Sequence, residues 1–382
     1  MGKIIGWVLV AVLIIWGGYT LISDDGTSTD EPIKIGFIGP LSGDAAVYGE
    51  PGRDVVALAV ARVNAEGGVD GRMLELLVED GQCNGKDATS AMQKLVNVDG
   101  VKFVIGGFCS SESLAIVPVG EEAGVLMFSP GSSSPDLTGI SDLFVRNFPS
   151  DATQGSVLAE LANNKGWTKA AFVQEQTDAA LGIRNAFTEN FEALGREVVA
   201  EVFPTENTDF RTALTKLRSE EPDVLFISVQ TPAVAERILI QLTDLGWEVP
   251  LIAADVVSGA VDLVEANAEA LEGTFAAEFG IDPENEKFQN FIEAYKAEYG
   301  EEPPFQSYAQ TEWDSVFMLA DALEEVGEDP ESVAKWLREV DDWQGASGNV
   351  VIGDNGDRVS GHVLKIITDG KTEIYSPEES EE

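Results

Sequence analysis

From Ile33 onward, short apolar runs alternate with longer stretches whose apolar residues recur at helical spacing. Ile33–Ile38 is an apolar run that stops at Gly39-Pro40-Leu41-Ser42-Gly43, and Val55, Val56, Leu58, Ala59, Ala61 and Val63 then follow a helical pattern that Asn64-Ala65-Glu66-Gly67-Gly68 ends. Period-two or continuous apolar runs read as strands, and 3.6-residue periodicity reads as an amphipathic helix. On that basis strands are predicted at Ile33–Ile38, Leu74–Glu79, Phe103–Gly106 and Val125–Phe128, with a helix over Glu112–Ala123. The alternation restarts at Thr153. It predicts helices over 154–165, 181–194, 210–218 and 233–245, and strands over 170–174, 198–203, 224–228, 251–254 and 274–278. Three helical patterns without a strand between them follow (286–299, 308–326, 330–340), and strands return over 350–375, with turn signals at Asp354-Asn355-Gly356 and Asp369-Gly370. Strand–helix alternation of this kind builds an open parallel sheet. Two such runs imply two α/β lobes, and the three strandless helices must pack on an existing sheet.

In such sheets the loops at the carboxyl ends of the strands form the ligand edge. Two of those loops are rich in hydroxyls: Cys109-Ser110-Ser111 and Gly131-Ser132-Ser133-Ser134. Ser110 or Ser111 suits the N-cap of the following helix. A helix N-terminus flanked by hydroxyls also suits a carboxylate or another anion, so these serines read either as caps and turn formers or as an anion site. Tyr48, at the start of the first helical pattern, reads as an exposed aromatic or as a ring that closes over a ligand. Cys83 ends the Leu74–Glu79 strand on the same edge as Cys109. In an oxidising compartment the two should form a disulfide, and otherwise they are two buried thiols.

Ahead of this, Ile4–Ile22 carries no charge and follows Lys3. At about 1.5 Å per residue it reaches roughly the thickness of a bilayer core. It reads as an uncleaved anchor over residues 1–22 with Lys3 on the cytoplasmic side, or as a signal peptide that is removed, although Trp16-Gly17-Gly18-Tyr19 makes a poor cleavage site. The polar, acidic stretch 23–32 is a tether and 377–382 an acidic tail.

Composition narrows the function classes. With 24 Lys+Arg against 67 Asp+Glu, the formal charge of −43 excludes nucleic acid as a partner, because phosphate binding needs basic patches. The same charge suits a well-solvated exterior, including one in a salty medium that screens self-repulsion. Two cysteines and one histidine, His362, rule out most metal sites and leave His362 as the one possible base for a loop serine or cysteine nucleophile. No cofactor is expected, since the chain carries no Walker A, G-x-G-x-x-G or G-x-S-x-G sequence.

The residues resemble a known family, the type I periplasmic binding proteins, in their leucine/isoleucine/valine-binding branch. The resemblance runs from Ile33 to about Tyr375. It rests on Gly39-Pro40-Leu41-Ser42-Gly43 with Tyr48-Gly49, on Asn64 to Arg72, on Cys83, on Val104 to Ser111 and on Ser129 to Thr138. It implies two Rossmann-like lobes with parallel sheets joined by a three-strand hinge, lobe 1 being 33–149 plus 279–348 and lobe 2 being 150–278 plus 349–376. It implies a monomeric receptor, not an enzyme, that closes on an amino acid outside the cytoplasm and hands it to an ABC permease and its ATPase.

Carried over by position, the resemblance places carboxylate binding on Ser110 and further ligand contacts on the Gly131, Ser132 and Ser133 loop. The Gly131 carbonyl would take the ligand ammonium, and the Ser133 hydroxyl and N–H would hold ligand as well. Asp255 would pair with the ammonium, Tyr48 and Tyr308 would form aromatic walls, and Cys83–Cys109 would be the family's disulfide. Two positions depart from the pattern. Ala179 stands where an aromatic is usual, and Asp255 is one methylene shorter than the usual Glu. A binder of an amide, urea or aromatic acid, or a membrane-anchored sensor on the same fold, are the alternatives these departures and the anchor leave open.

Overall fold

The computed structural model describes residues 31–376, and from Ile33 the chain forms one compact unit built on two sheets. The first has five parallel strands: β1 (Ile33–Gly39), β2 (Leu74–Asp80), β3 (Phe103–Gly106), β4 (Leu126–Ser129) and β5 (Phe144–Arg146). Their order is β2-β1-β3-β4-β5, so chain direction across the sheet reverses between β1 and β3. β1, β3 and β4 read as near-continuous apolar runs because helices cover both faces. Ile35, Phe37, Phe103, Ile105, Met127 and Phe128 are all buried there.

The second sheet has seven strands: β6 (Lys169–Glu175), β7 (Glu197–Phe203), β8 (Val224–Ser228), β9 (Leu251–Ala253), β10 (Phe275–Phe279), β13 (His362–Thr368) and β14 (Lys371–Ile374). Its order is β14-β13-β10-β9-β8-β6-β7, which repeats the reversal between β6 and β8. It is not wholly parallel: β13 runs antiparallel to β10, and β14 antiparallel to β13. The tail forms a hairpin joined by a two-residue Asp369-Gly370 turn, which makes β14 antiparallel to β13.

The chain passes between the sheets three times, after Arg146, after Phe279 and after Val350. The helices Glu286–Tyr299, Gln306–Val326 and Pro330–Glu339, which have no strands of their own, return to the first sheet. Phe288 and Phe291 pack on Val55 and Leu58 of the helix Ala46–Ala65, while Val316, Leu319, Val333 and Leu337 join the core of β1, β3 and β4. Three elements fall outside the predicted runs. The helix Gly85–Lys94 buries only Ala88, Ala91 and Met92, β5 is three residues long, and a small hairpin of β11 (Trp343–Gly345) and β12 (Gly348–Val350) follows the last helix.

The expected transmembrane anchor is corrected. Among the described residues no helix is long and apolar enough to cross a membrane, and Ile4–Ile22, on which the anchor was placed, lies outside them, as do the 377–382 tail and nearly all of the tether. The fold that stands is the two-lobed α/β body, with no support for a spanning helix.

Candidate functional site

The carboxyl ends of both sheets face each other, and the loops next to both reversal points meet around one cavity of about 30 Å³. From the first sheet come Tyr48 after β1, Phe108 and Ser110 after β3, Gly131 and Ser133 after β4, and Tyr308 from the returning helix. From the second come Ala179 after β6, Gln230 after β8 and Asp255 after β9. Each sheet therefore contributes the loops that flank its topological switch point. The lobes touch around the cavity. Tyr48 Oη donates to the Gln230 carbonyl at 3.3 Å, and Arg237 meets Asp44 at 3.5 Å. Gly182 of one lobe lies so near Pro135 of the other that a Cβ there would come within 2.6 Å of the proline ring. With room for little more than water, this closed cleft admits an amino acid only when the lobes part.

Ser110 is buried, and its Oγ accepts the backbone N–H of Ser133 at 3.2 Å and of Ser134 at 3.0 Å. A hydroxyl has two lone pairs and one proton. With both lone pairs taken, Ser110 offers its proton as a donor, which suits a carboxylate in the cavity. Ser110 is not the N-cap but the first helical residue. Cys109 takes the cap position, and the buried Glu112 carboxylate accepts the N–H groups of Cys109 and Cys83, each at 2.9 Å. A disulfide joins Cys83 to Cys109, so the loop that carries Ser110 is tied to β2 twice. Burial pushes Glu112 up to about 7 against the downward pull of the backbone N–H groups.

Gly131 lines the cavity, and a Cβ there would lie 2.7 Å from the Phe108 ring, so glycine lets that ring pack against the loop. Ser133 differs from expectation. Its N–H is spent on Ser110 and its hydroxyl donates to Asp151 Oδ2 at 2.8 Å, across the cleft. Ser132 is a correction: it is fully buried and does not line the cavity. Its hydroxyl sits 2.9 Å from the Gly107 carbonyl and 2.7 Å from the Ser113 hydroxyl, so it pins the loop beneath the site.

Asp255 is buried and accepts the Tyr308 hydroxyl at 2.6 Å. Burial raises its carboxyl, and burial together with the Asp255 charge pushes the Tyr308 and Tyr48 phenols well above 10. The aromatic wall is continuous: Tyr48 stacks on Phe108 at 5.7 Å and Tyr308 on Phe148 at 4.7 Å, while Phe305 lies 4.6 Å from Tyr48. Ala179, at the start of the helix Asp178–Ala193 that Thr177 caps, presents only a methyl group beside Gln230. His362 makes no hydrogen bond to a serine among the described residues. Its Nδ1 bonds Thr153 Oγ1 at 2.8 Å, and burial pulls its imidazole down to about 3, so the serine–histidine arrangement does not form.

Sequence reasoning missed Asp151, Phe108 and Gln230. Asp151 follows Ser150, whose hydroxyl accepts the Ala152 N–H and caps the helix Asp151–Asn164. A Ser-Asp pair ahead of a helical pattern is a legible cap signal, but nothing local says that the Asp faces a cleft. Phe108 and Gln230 are loop residues whose importance comes from what the other lobe brings to them.

A family model described as periplasmic binding protein matches residues 32–364. Among curated relatives, the leucine-, isoleucine-, valine-, threonine- and alanine-binding protein of Pseudomonas aeruginosa is 29% identical over 334 residues, covering 86% of this chain and 87% of that protein. Among solved structures, a leucine-binding protein of Thermotoga maritima superposes with a TM-score of 0.82 at 28% identity, covering 91% of this chain and 99% of that one. The branched-chain amino acid transporter substrate-binding protein of Streptococcus pneumoniae, solved with isoleucine, gives 0.80 at 27% identity, covering 91% and 100%. With the match spanning nearly all of the described residues, the chain belongs to the type I periplasmic binding proteins, in their leucine/isoleucine/valine-binding branch.

Proposed function

We propose that this protein captures a free α-amino acid, of the branched-chain kind or a near relative, outside the cytoplasm and delivers it to an ABC importer. The observation that carries the reading is the division of the closed cavity: the Ser110 hydroxyl donor on the first sheet's edge, and the buried Asp255 carboxyl on the second sheet's edge. An amino-acid zwitterion presents a carboxylate to one and an ammonium to the other. The relatives named above, which are binding proteins for leucine, isoleucine or valine, support it. Residues 33–149 with 279–348 and residues 150–278 with 349–376 are the lobes that part and close, with the three chain crossings as the hinge.

The test is calorimetric titration of the purified protein, unfolded and refolded to strip carried-over ligand, against individual amino acids. Binding of leucine, isoleucine or valine at micromolar or tighter affinity is expected. No response to amino acids combined with binding of an amide or aromatic acid refutes the ligand class and leaves the fold standing.

A further inference from the structure

Two buried carboxyl groups from different elements stand at the cavity: Asp255 lines it, and Asp151 accepts the hydroxyl of Ser133, which lines it too. Asp151 opens the helix Asp151–Asn164 and is 2% exposed; Asp255 follows β9 and is 8% exposed. Each receives one hydroxyl from the first lobe, Ser133 on Asp151 and Tyr308 on Asp255, and the Gln154 amide lies beside Asp255. The remaining titratable and charged groups that face the pair are Arg146, Tyr48, Tyr308 and Glu278. His362, which bonds Thr153 in the same helix as Asp151, stays neutral.

Arg146 is the one cation among these, and its guanidinium is spent elsewhere. Nε donates to Asp357 at 2.7 Å, Nη1 to the Ser132 and Ser134 carbonyls at 3.3 and 2.8 Å, and Nη2 to Thr138 Oγ1 at 3.1 Å. Neither carboxyl is thus ion-paired among the described residues. Two like charges so placed do not both ionise unless a positive charge joins them.

We propose that the closed, unliganded cleft holds one proton on the Asp151–Asp255 pair, and that the ammonium of an incoming α-amino acid displaces it, so that capture releases a proton. The proposal rests on the amino-acid reading above. The charges balance. The carboxylic O–H bond breaks, its proton passes to solvent, and the pair goes from one negative charge to two as the ammonium brings one positive charge. Burial first, and the Asp255 charge second, push Asp151 up to about 8, which keeps the proton in place at neutral pH. Because the free form binds the proton and the complex does not, affinity rises with pH. The slope reaches at most about tenfold per unit below the Asp151 value and flattens above it.

The experiment is titration with L-leucine at pH 7 in phosphate and in Tris, whose ionisation enthalpies differ. The expected result for the wild-type protein is a buffer-dependent heat corresponding to nearly one released proton. For Asp151→Asn the heat should be buffer-independent and the affinity flat from pH 6 to 8. Equal heats in both buffers for the wild type, or the same proton released by Asp151→Asn, overturn the proposal. Carbon-13 NMR of aspartate-labelled, unliganded protein needs neither leucine nor the variant, and should show a carboxyl that titrates near pH 8; absence of such a signal also overturns it. If no amino acid binds, the functional reading falls and the displacement step falls with it, while the NMR titration still decides whether the pair holds the proton.

Discussion

Asp255→Ala is the sharpest perturbation of the cleft. In the closed protein the carboxyl is buried, accepts the Tyr308 hydroxyl at 2.6 Å and stands across the cavity from the Ser110 donor. Truncating one partner of a buried, hydrogen-bonded charge pair costs about 2–5 kcal/mol of binding. At about 1.4 kcal/mol per decade this weakens amino-acid affinity from roughly 30-fold to several thousand-fold. Stability should respond in the opposite sense or hardly at all. The change strands the Tyr308 hydroxyl at a cost of about 1–3 kcal/mol, but it also removes an acid that burial has already raised, so the two effects offset. The assay is calorimetry with leucine beside thermal unfolding of the unliganded variant. Unchanged affinity in a protein with an unchanged melting temperature refutes the assignment of Asp255 to the ammonium, and with it the polarity of the cleft.

Ser132→Ala and Ser110→Ala should separate scaffold from site. The first breaks the buried bonds to Gly107 and Ser113 and lowers stability by about 1–3 kcal/mol with little change in affinity, whereas the second removes the free donor and weakens binding. Equal effects on affinity would mean that the loop is not divided in this way. Replacing Cys83 and Cys109 together by Ala reopens a loop with a sequence separation of 26 and should cost about 3.5 kcal/mol in denaturant unfolding. A loss under about 1 kcal/mol would show that the Glu112 bonds to both residues hold the loop without the bridge. With a formal charge of −43, the melting temperature should climb as sodium chloride goes from 0.1 to 1 M and the screening length falls from about 10 to about 3 Å, and a flat profile would show that self-repulsion is not limiting stability.

The apolar periodicity by itself determined that strands β1, β3, β4, β6 and β8 would lie inside an α/β body with polar loops at their carboxyl ends, because a strand buried on both faces must be apolar along its whole length. It also placed Cys83 and Cys109 at neighbouring strand ends and the serines on the ligand edge, since loop chemistry is local. The polar helix Gly85–Lys94 and the β11–β12 hairpin escaped that reading because they bury few side chains, and the buried β5 because three residues are too few to show a period. Tertiary structure alone decided that Ser132 turns inward while Ser110 faces the cavity, a matter of which carbonyls lie beneath a loop of near-identical residues. Asp151 is the clearest case. In sequence it is the first residue of a capped helix, and it meets Ser133 only because the chain crosses between the sheets beside it and the lobes close, which no local pattern records.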